Sequence, residues 1–479
     1  MKKVLLMAVF LFPRVLAAQS LEIDDYLGES WYGLYLNGEK AGYSLNALRR
    51  EEGALVAVED SRFRITMAGV KQDMHIYSRR AYAADGALIS IDSEITDPAG
   101  VSEFHAKVQG ELLTLESMIS GTTSTVSLPK PKETLADAIK YARWVKEAPK
   151  VGDSLSFSVF EPMYQREISG TSYILAKEQK VFEGVETRVY KIKTVLDLMG
   201  VETISHVAED GTTLEDVVAG IITMRLEPEE IAKDVDYNND VIVSNAALVD
   251  EPIKDPRKRE SLRLVLKAPL TADHLFNDER QSVTVQGESF LFESHQIDVK
   301  KLTPVKLPVE DPEVVHWLLP TPFIQSDNPK LVEKAHEIIG EEKDSLKISN
   351  KLCDWVYKNT RSTFSARLTN ALEVLDSMEG DCTEHSILFI GLARAAGLPA
   401  REVAGLVYVE GVQPGFYFHQ WAKVWVGTWI DVDPTFNQPV ADVTHIKLAE
   451  GDLFQQARLI PVIGRMEIKV APAKDQPKS

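Results

Sequence analysis

Hydrophobic and polar residues alternate along much of the N-terminal half of the chain. Hydrophobic residues occupy every second position over residues 63–67 and again over 155–159. A period of two is typical of β-strands with one buried face. Turn sequences such as Asn37-Gly38 lie between such runs and favour antiparallel hairpins. The pattern therefore predicts two antiparallel β-rich domains, over residues 19–130 and 151–252.

The segments around and after these domains carry other patterns. Residues 131–150 have the hydrophobic spacing of an amphipathic helix, which is predicted to connect the two β-rich domains. Residues 253–326 contain the basic run Lys254–Arg259 and several prolines, which predict an exposed linker with a short β segment. We therefore expect a multidomain α+β protein, with two or three antiparallel β-rich N-terminal domains followed by an α+β domain over residues 327–470.

One predicted helix in the C-terminal region has no polar face. The apolar residues of the segment 386–396 cover nearly the whole helix circumference, and Gly397 follows directly. Asp381 is a favourable N-cap residue, and glycine is typical of the position after a helix end. Such a helix is expected to be buried. Cys382 would then project from the N-terminal end of a central, rigid helix.

Strand patterns follow this helix. In the segment that begins at His419, a period of two places the large aromatics Trp421 and Trp425 on one face and the smaller residues on the other, and the turn Gly427-Thr428 comes next. The segment 429–432 is predicted to return as a second strand. A hairpin of this kind brings Asp433 back beside His419.

Cys382, His419 and Asp433 are the residue types of a nucleophilic acyl-transfer site. Only a thiolate attacks a carbonyl carbon efficiently, and the N-terminus of a helix favours negative charge. An imidazole beside the thiol can hold the thiolate as an ion pair and later protonate the leaving amine. A carboxylate behind the imidazole fixes its tautomer and orientation. If the three side chains converge, the protein makes or cleaves amide bonds through a thioester, and we expect neither a cofactor nor a metal ion.

Four sequence blocks resemble the transglutaminase-like superfamily, a papain-related group of thiol acyltransferases and proteases. The blocks are Gly380-Asp381-Cys382-Thr383-Glu384-His385, residues 394–401, His419-Gln420-Trp421, and residues 429–435. The resemblance covers roughly residues 330–460 and implies that Cys382 is the nucleophile, His419 the general base and Asp433 the orienting acid. Gln420 departs from the family pattern, in which alanine is common. The family's oxyanion-stabilising side chain lies upstream of the cysteine, and Trp355 is a candidate for it.

Several residues offer alternatives to this site. Asp431 competes with Asp433 as the acid of the triad. Cys353, on a helix predicted over Ser345–Lys358, is interpreted as a packing residue, and His385 as a structural hydrogen-bonding residue. A Cys353–Cys382 disulfide is the alternative state of the two thiols in an oxidising compartment, and it would block the nucleophile.

The first residues of the chain have the pattern of a secretory signal peptide. Lys2 and Lys3 precede nine apolar residues, and small residues lead up to Ala18. Nine apolar residues are too few to span a bilayer. We therefore expect residues 1–18 to be a signal peptide cleaved after Ala18, and the protein to be exported to the periplasm or, alternatively, secreted.

The chain is acidic. Its formal net charge is −19, and removal of the predicted leader deletes three basic residues and brings the charge to −22. This charge disfavours binding to nucleic acid and to anionic membrane surfaces. No other stretch approaches the length of a membrane-spanning helix. A protein or peptide substrate, for example from the cell envelope, is the partner that we expect, and the oligomeric state stays open.

Two classes of function fit these observations. The first is an exported thiol enzyme, a hydrolase or acyltransferase, for which peptidase or amidase activity is favoured over glutamine–lysine cross-linking. The second is a catalytically silent transglutaminase-like protein that serves as a binding or scaffold protein of the cell envelope.

Overall fold

The computed structural model describes residues 23–471 apart from residues 68–69, 99, 120, 198–200, 238, 241–244, 250, 365–367 and 411–412. The predicted signal peptide, residues 1–18, lies outside the described residues. The described residues group into two compact units. The N-terminal unit comprises residues up to Asp240, and the C-terminal unit comprises the residues from Asn245 onward except Leu368.

The N-terminal unit is built on one sheet of fourteen strands, and all its neighbouring strands pair antiparallel. The strands are β1 Gly28–Leu36, β2 Glu39–Glu51, β3 Ala54–Met67, β4 Val70–Tyr82, β5 Leu88–Asp97, β6 Gly100–Gln109, β7 Leu112–Ile119, β8 Thr122–Pro129, β9 Ser154–Glu161, β10 Arg166–Phe182, β11 Val185–Leu196, β12 Glu202–Ala208, β13 Thr213–Val218 and β14 Ile222–Leu226. Strands β1 to β8 form one half in chain order, and β9 to β14 form the other.

The two halves join where β1 pairs with β14, for example at Leu34 opposite Met224. Strands from both of the predicted β-rich domains therefore share one sheet. If the halves were separate sheets, β1 and β14 would each expose an edge of unpaired backbone N–H and C=O groups. The pairing of β1 with β14 satisfies both rows of these groups.

The described residues of this unit also form the short α-helices α1 Leu135–Ala138, α2 Lys140–Lys146 and α3 Glu229–Ala232. The first two replace the continuous helix predicted over residues 131–150, because Ile139 leaves the helical conformation between them. Val145 of α2 packs in a buried cluster with Ile174 and Ile192 of the sheet. The segment is therefore part of the packed core of this unit.

The C-terminal unit contains both helices and sheets. Its strands are β15 Ala247–Leu248, β16 Ser261–Lys267, β17 Gln281–Gln286, β18 Ser289–His295, β19 Arg361–Ser362, β20 Glu379–Gly380, β21 Ala400–Val409, β22 Gly415–Trp425, β23 Trp429–Val432, β24 His445–Glu450 and β25 Glu467–Val470. Its α-helices are α4 Pro329–Ile339, α5 Ser345–Asn359, α6 Ala371–Ser377, α7 Cys382–Ala395 and α8 Leu453–Ala457.

Two antiparallel sheets organise this unit. The first has the order β15-β22-β21-β24, with β23 also paired to β22, and the second has the order β17-β18-β16-β25. Three strands of the second sheet, β16, β17 and β18, come from residues 253–326, which were predicted to be a linker with a short β segment. They share a hydrophobic core with the first sheet through residues such as Leu264, Leu406 and Phe416. This segment therefore belongs to the same folded unit as the predicted catalytic residues.

Helix α7 is buried along nearly its whole length, as its sequence predicts. Every residue from Thr383 to Arg394 is buried, and the helix contacts β21, β22 and the helices α4 to α6. The strand after it pairs with β22, and β22 forms the predicted hairpin with β23 through pairs such as Val424 opposite Ile430. Within the described part of the chain, every helix is too short or too polar to cross a bilayer.

Candidate active site

The half-buried side chain of Cys382 lies on the first residue of α7. The Asp381 carboxylate accepts a hydrogen bond from the Thr383 backbone N–H at 3.0 Å, and the Glu384 carboxylate accepts one from the Asp381 backbone N–H at 2.8 Å. Gly380 approaches Glu384 so closely that a Cβ atom at this position would overlap the Glu384 side chain. This reciprocal capping fixes the helix end that carries the thiol.

Two buried side chains of α7 tie this helix end to its surroundings. The His385 Nδ1–H donates to the Asp381 carbonyl oxygen at 2.7 Å, in agreement with the structural role predicted for His385. The Ser386 hydroxyl lies 2.7 Å from the carbonyl oxygen of Cys382 and 3.0 Å from that of Gln420. Gln420 follows His419 on β22, so Ser386 links the backbone at the thiol to the backbone at the imidazole.

The β22–β23 hairpin brings His419 and Asp433 into contact. His419 Nε2–H donates to Asp433 Oδ2 at 2.8 Å, which leaves Nδ1 as the ring nitrogen available to the Cys382 thiol. The imidazole is stacked against the ring of Phe436, with centroids 5.1 Å apart and an interplanar angle of 22°. Its tautomer and its orientation are therefore both fixed.

The charges of this pair favour a protonated histidine. Burial alone would lower the pKa of His419, but the Asp433 charge, the hydrogen bond to Asp433 and the hydrogen bond to Cys382 outweigh it and raise the pKa to about 10. Burial likewise opposes ionisation of Asp433, but His419 and the hydrogen bonds from His419 and His445 hold its pKa well below the usual range. The geometry therefore supports an imidazolium between a carboxylate and the Cys382 sulfur.

Asp433 is fully buried, and four donors other than its own backbone saturate its carboxylate. Besides His419, the His445 Nε2–H donates to Oδ2 at 3.0 Å. The backbone N–H groups of Thr435 and Phe436 donate to Oδ1 at 2.8 and 3.3 Å. A carboxylate held in this way cannot turn away from His419 without losing several hydrogen bonds at once.

The alternative acid, Asp431, belongs to a separate buried ion network. Arg280 Nε donates to its Oδ2 at 2.8 Å, and Trp421 Nε1 donates to its Oδ1 at 3.2 Å. Burial opposes ionisation of Asp431, but the positive charges of Lys447 and Arg280 hold its pKa well below the usual range. The structure thus brings Asp433 to His419 and gives Asp431 other partners.

The two cysteines are both free thiols, so the alternative Cys353–Cys382 disulfide is not formed. Cys353 is fully buried in the middle of α5, where its Sγ lies 3.7 Å from the backbone oxygen of Asp433. Burial, together with the nearby charges of Asp433 and Asp354, raises the pKa of Cys353 far above its usual value. Cys353 is therefore a neutral packing residue, as its sequence context predicts.

Sequence reasoning missed a second layer of residues behind Asp433. The fully buried His445 carries its Nδ1 3.4 Å from Asp442 Oδ1, and Arg257 Nη1 donates to Asp442 Oδ2 at 2.8 Å. Arg257 also lies over the ring of Phe436, 5.0 Å from its centroid. The basic run Lys254–Arg259, which contains Arg257, was predicted to be an exposed linker. The sequence around Arg257 and His445 shows no local pattern that predicts these contacts. These contacts run from His419 through Asp433, His445 and Asp442 to Arg257, and the step from His445 to Asp442 is a 3.4 Å approach without a hydrogen bond.

Trp355, the candidate for the oxyanion-stabilising residue, is half-buried on α5 and packs against the core of the C-terminal unit. The Nζ of Lys334 lies 5.9 Å from its ring centroid. These contacts describe a packing role, and its role in oxyanion stabilisation stays a prediction.

A group of three buried side chains could supply metal ligands: His419, Asp433 and His445. Their possible ligand atoms all lie within 4.8 Å of one another. Such a set has the residue types of a zinc site. Here, both histidine Nε2–H groups already donate to the same Asp433 oxygen. A metal ion would have to replace both protons, so the contacts support hydrogen bonding within the triad. The absence of a metal ion stays a prediction.

Comparisons with known proteins place this region in a family. The model of the transglutaminase-like superfamily matches residues 332–434. An uncharacterized protein of Haemophilus influenzae is 32% identical to this chain over 99 residues, which are 20% of this chain and 27% of that relative. The chain therefore aligns with little more than a quarter of the relative's length.

Solved structures give weaker similarities. A 'putative cysteine protease' from Cytophaga hutchinsonii is 19% identical and is matched over 43% of this chain and 83% of its own, with a TM-score of 0.31. A β-barrel-like protein of a domain of unknown function from Brucella abortus is 11% identical and is matched over 42% of this chain and 94% of its own, with a TM-score of 0.32. The family match rests on the four sequence blocks and on the domain model. Residues 332–434 of this chain form a domain of the transglutaminase-like superfamily.

Proposed function

We propose that this protein is an exported thiol hydrolase that cleaves amide bonds of peptides or proteins through a thioester on Cys382. The observation that carries the proposal is the 2.8 Å hydrogen bond between His419 and Asp433, together with the position of Cys382 at the N-terminal end of a buried helix, where it helps to raise the pKa of His419. Export, to the periplasm or beyond, is proposed from the leader-like sequence of residues 1–18. Membership of a thiol enzyme family supports the reaction class.

The chemistry proposed for these residues has two stages. The Cys382 thiolate attacks the substrate carbonyl carbon, and the resulting tetrahedral intermediate collapses by breaking the C–N bond. The imidazolium of His419 gives its proton to the departing amine, which leaves an acyl thioester and a neutral imidazole. Neutral His419 then takes a proton from water as the water attacks the thioester. The C–S bond breaks, the acid product leaves, and the Cys382–His419 ion pair is restored. Asp433 keeps the same ring nitrogen protonated throughout.

Acyl transfer to a lysine amine is the same reaction with an amine in place of water in the second stage. We propose hydrolysis because no residue type in the four sequence blocks marks a dedicated acceptor site. The substrate is proposed to be a peptide or protein chain, including chains of the cell envelope.

The first test measures the ion pair without a known substrate. The purified full chain is treated with iodoacetamide at about pH 6, where an ordinary thiol is almost entirely protonated. Cys382 should be alkylated rapidly, and His419→Ala should slow alkylation by about two to three orders of magnitude. Cys353→Ala is the matched control and should leave the rate unchanged. Slow alkylation of the wild-type protein would instead favour the catalytically silent binding or scaffold protein.

The second test identifies the reaction. A peptide pool from cell envelopes is incubated with the wild-type protein or with Cys382→Ala and compared by mass spectrometry. Hydrolysis predicts new peptide termini that require Cys382. Amine adducts at glutamine would assign the protein to acyl transfer, and an identical pool with both proteins would refute catalysis on these peptides.

A further inference from the structure

The buried guanidinium of Arg280 joins two strands that carry residues behind the thiol site. Its Nε donates to Asp431 Oδ2 at 2.8 Å, and its Nη1 donates to the backbone carbonyl oxygen of His445 at 2.7 Å. Arg280 is only 2% exposed, so little water competes for these hydrogen bonds. Its planar fork therefore links β23 to β24, which β22 and β21 separate in the order of the sheet.

Asp431 in turn holds the ring of Trp421, which lies next to both histidines of the site. The indole Nε1–H of Trp421 donates to Asp431 Oδ1 at 3.2 Å. The Trp421 ring is stacked with the His419 imidazole, with centroids 6.0 Å apart and an interplanar angle of 20°. It meets the His445 ring edge-on, with centroids 5.1 Å apart. Trp421 is fully buried in a close-packed interior, so a change in its tilt would be transmitted to these rings.

Two series of contacts thus run from Arg280 to the His419 imidazole. One passes through Asp431 and Trp421. The other passes through His445 to the carboxylate that accepts the His419 hydrogen bond. Side chains that support a reacting group in this way fix its geometry to within a fraction of an ångström.

We infer that Arg280 is a positioning residue of the thiol site, which holds the His419 imidazole at the angle at which it pairs with the Cys382 sulfur. This role rests on the proposed function, because it has a use only if the imidazole and the sulfur form an ion pair. A small displacement of a reacting group lowers a rate strongly. Arg280 therefore affects the reaction without touching the substrate.

Arg280 comes from outside the part of the chain that matches the family model. It directly precedes β17 of the second sheet, whereas the model matches residues 332–434. The sequence predicts residues 253–326 to be a linker with a short β segment. The inferred role makes this segment a part of the reacting unit.

The other ions around Asp431 supply charge but not the same reach. Lys447 Nζ lies 3.5 Å from Asp431 Oδ2 and 2.8 Å from Glu450 Oε1. Lys423 Nζ lies 2.7 Å from the same Glu450 oxygen and 3.2 Å from Asp278 Oδ2. Asp431 therefore has a second cation beside it, and the guanidinium differs from that ammonium in its directed donors to two strands.

The pH profile of Cys382 alkylation, measured with iodoacetamide on the full chain from about pH 5 to about pH 10, tests this inference. In Arg280→Lys, a single ammonium cannot make both directed contacts together. The imidazole should then pair less well with the sulfur, so the midpoint of the profile should rise by about one pH unit and the rate at about pH 6 should fall about tenfold. The rate at about pH 10, where an accessible thiol is ionised without help, should not change. A role in stability alone would lower the free energy of unfolding and leave the profile of the folded protein unchanged.

A second variant and a control accompany this measurement. Trp421→Phe keeps an aromatic ring beside the histidines and removes the N–H donor to Asp431, so it should raise the midpoint by about half a pH unit. Arg263→Lys is the matched control, because Arg263 Nε donates to Glu293 at 2.9 Å within the same second sheet. It should keep the wild-type profile. Thermal unfolding verifies that each variant is folded, and Trp421→Phe decides the outcome if Arg280→Lys is not.

The outcomes separate this inference from the proposed function. A wild-type profile with the midpoint of an ordinary thiol would refute the proposed function, and the role of Arg280 with it. A wild-type midpoint well below that of an ordinary thiol, together with an unchanged midpoint in folded Arg280→Lys, would overturn the role of Arg280 alone. A variant rate that also increases at about pH 10 would overturn it too, since that result would mean a more exposed thiol.

Discussion

The two cysteines of the C-terminal unit lie in opposite surroundings. Cys382 lies at the end of a helix, and Cys353 lies in the middle of one. Cys382 is half-buried on the first residue of α7 and meets an imidazole that favours its positive form. Cys353 is fully buried in the middle of α5, where its recorded partners are the backbone oxygen of Asp433, the amide oxygen of Asn437 and the negative charges of nearby carboxylates. The contrast predicts that helix position and the sign of the nearest charge decide which thiol of this unit reacts.

The strongest test of this contrast removes the charge behind the imidazole. In Asp433→Asn, the amide can donate to His419 and stabilise the wrong tautomer, so the imidazolium loses its main support. Alkylation of Cys382 at about pH 6 should slow by about two orders of magnitude. The exposed carboxylate of Asp376, replaced in Asp376→Asn, provides the control. An unchanged rate would mean that Cys382 does not depend on this carboxylate.

A smaller effect is expected from substitution of His445, which donates a hydrogen bond to Asp433. His445→Leu removes one of the two donors to Asp433 Oδ2 and leaves the triad residues in place. Alkylation of Cys382 should slow about tenfold, because Asp433 gains freedom to move. His445→Gln keeps a donor and should restore most of the rate, which a role in packing alone would not require. Equal rates for the two variants would contradict the positioning role.

The pH dependence of stability tests the same ion pair. The pKa of His419 is about 10 in the folded protein, against about 6.5 in an unfolded chain. The stability from this raised pKa is fully present below about pH 6.5 and is lost as the pH rises through about 10. The loss of unfolding free energy caused by His419→Gln, measured with urea, should therefore be greater at about pH 6 than at about pH 10. The exposed His336, replaced in His336→Gln, provides the control for substitution of a histidine away from the site.

The smallest effect is expected at the other cysteine. Cys353→Ala should leave alkylation of Cys382 unchanged and lower the free energy of unfolding by about 1 kcal/mol, since it only removes buried atoms from a packed helix. Mass spectrometry of the alkylated wild-type protein should find the label on Cys382 alone while the protein is folded. Label on Cys353 under these conditions would remove the contrast between the two thiols.

Local sequence signals predict the parts of the site that depend on local structure. The cap at Asp381, the apolar circumference of α7 and the alternation from His419 to Val426 each report on a few neighbouring residues, and their elements appear at the predicted places. These signals were sufficient to predict that Asp433 lies beside His419.

Contacts between distant segments were not predictable in this way. The pairing of β1 with β14 joins residues nearly 200 positions apart, and it depends on two free sheet edges that no local pattern reveals. Arg257 lies in a basic run that resembles a solvated surface, and its contact with Asp442 depends on how the 253–326 segment folds onto the first sheet. His445 begins a strand, and only the packed structure turns it toward Asp433.

The contacts of Ser386 have a consequence for how sequence change would be tolerated. Its hydroxyl touches the carbonyl oxygens of Cys382 and Gln420, although its own side chain is buried and meets no solvent. A larger residue at this position would push the helix end and the strand apart, and alanine would leave both carbonyls without that shared partner. If the proposed function holds, a change of Ser386 would therefore act on the Cys382–His419 pair through the spacing of these two backbone segments.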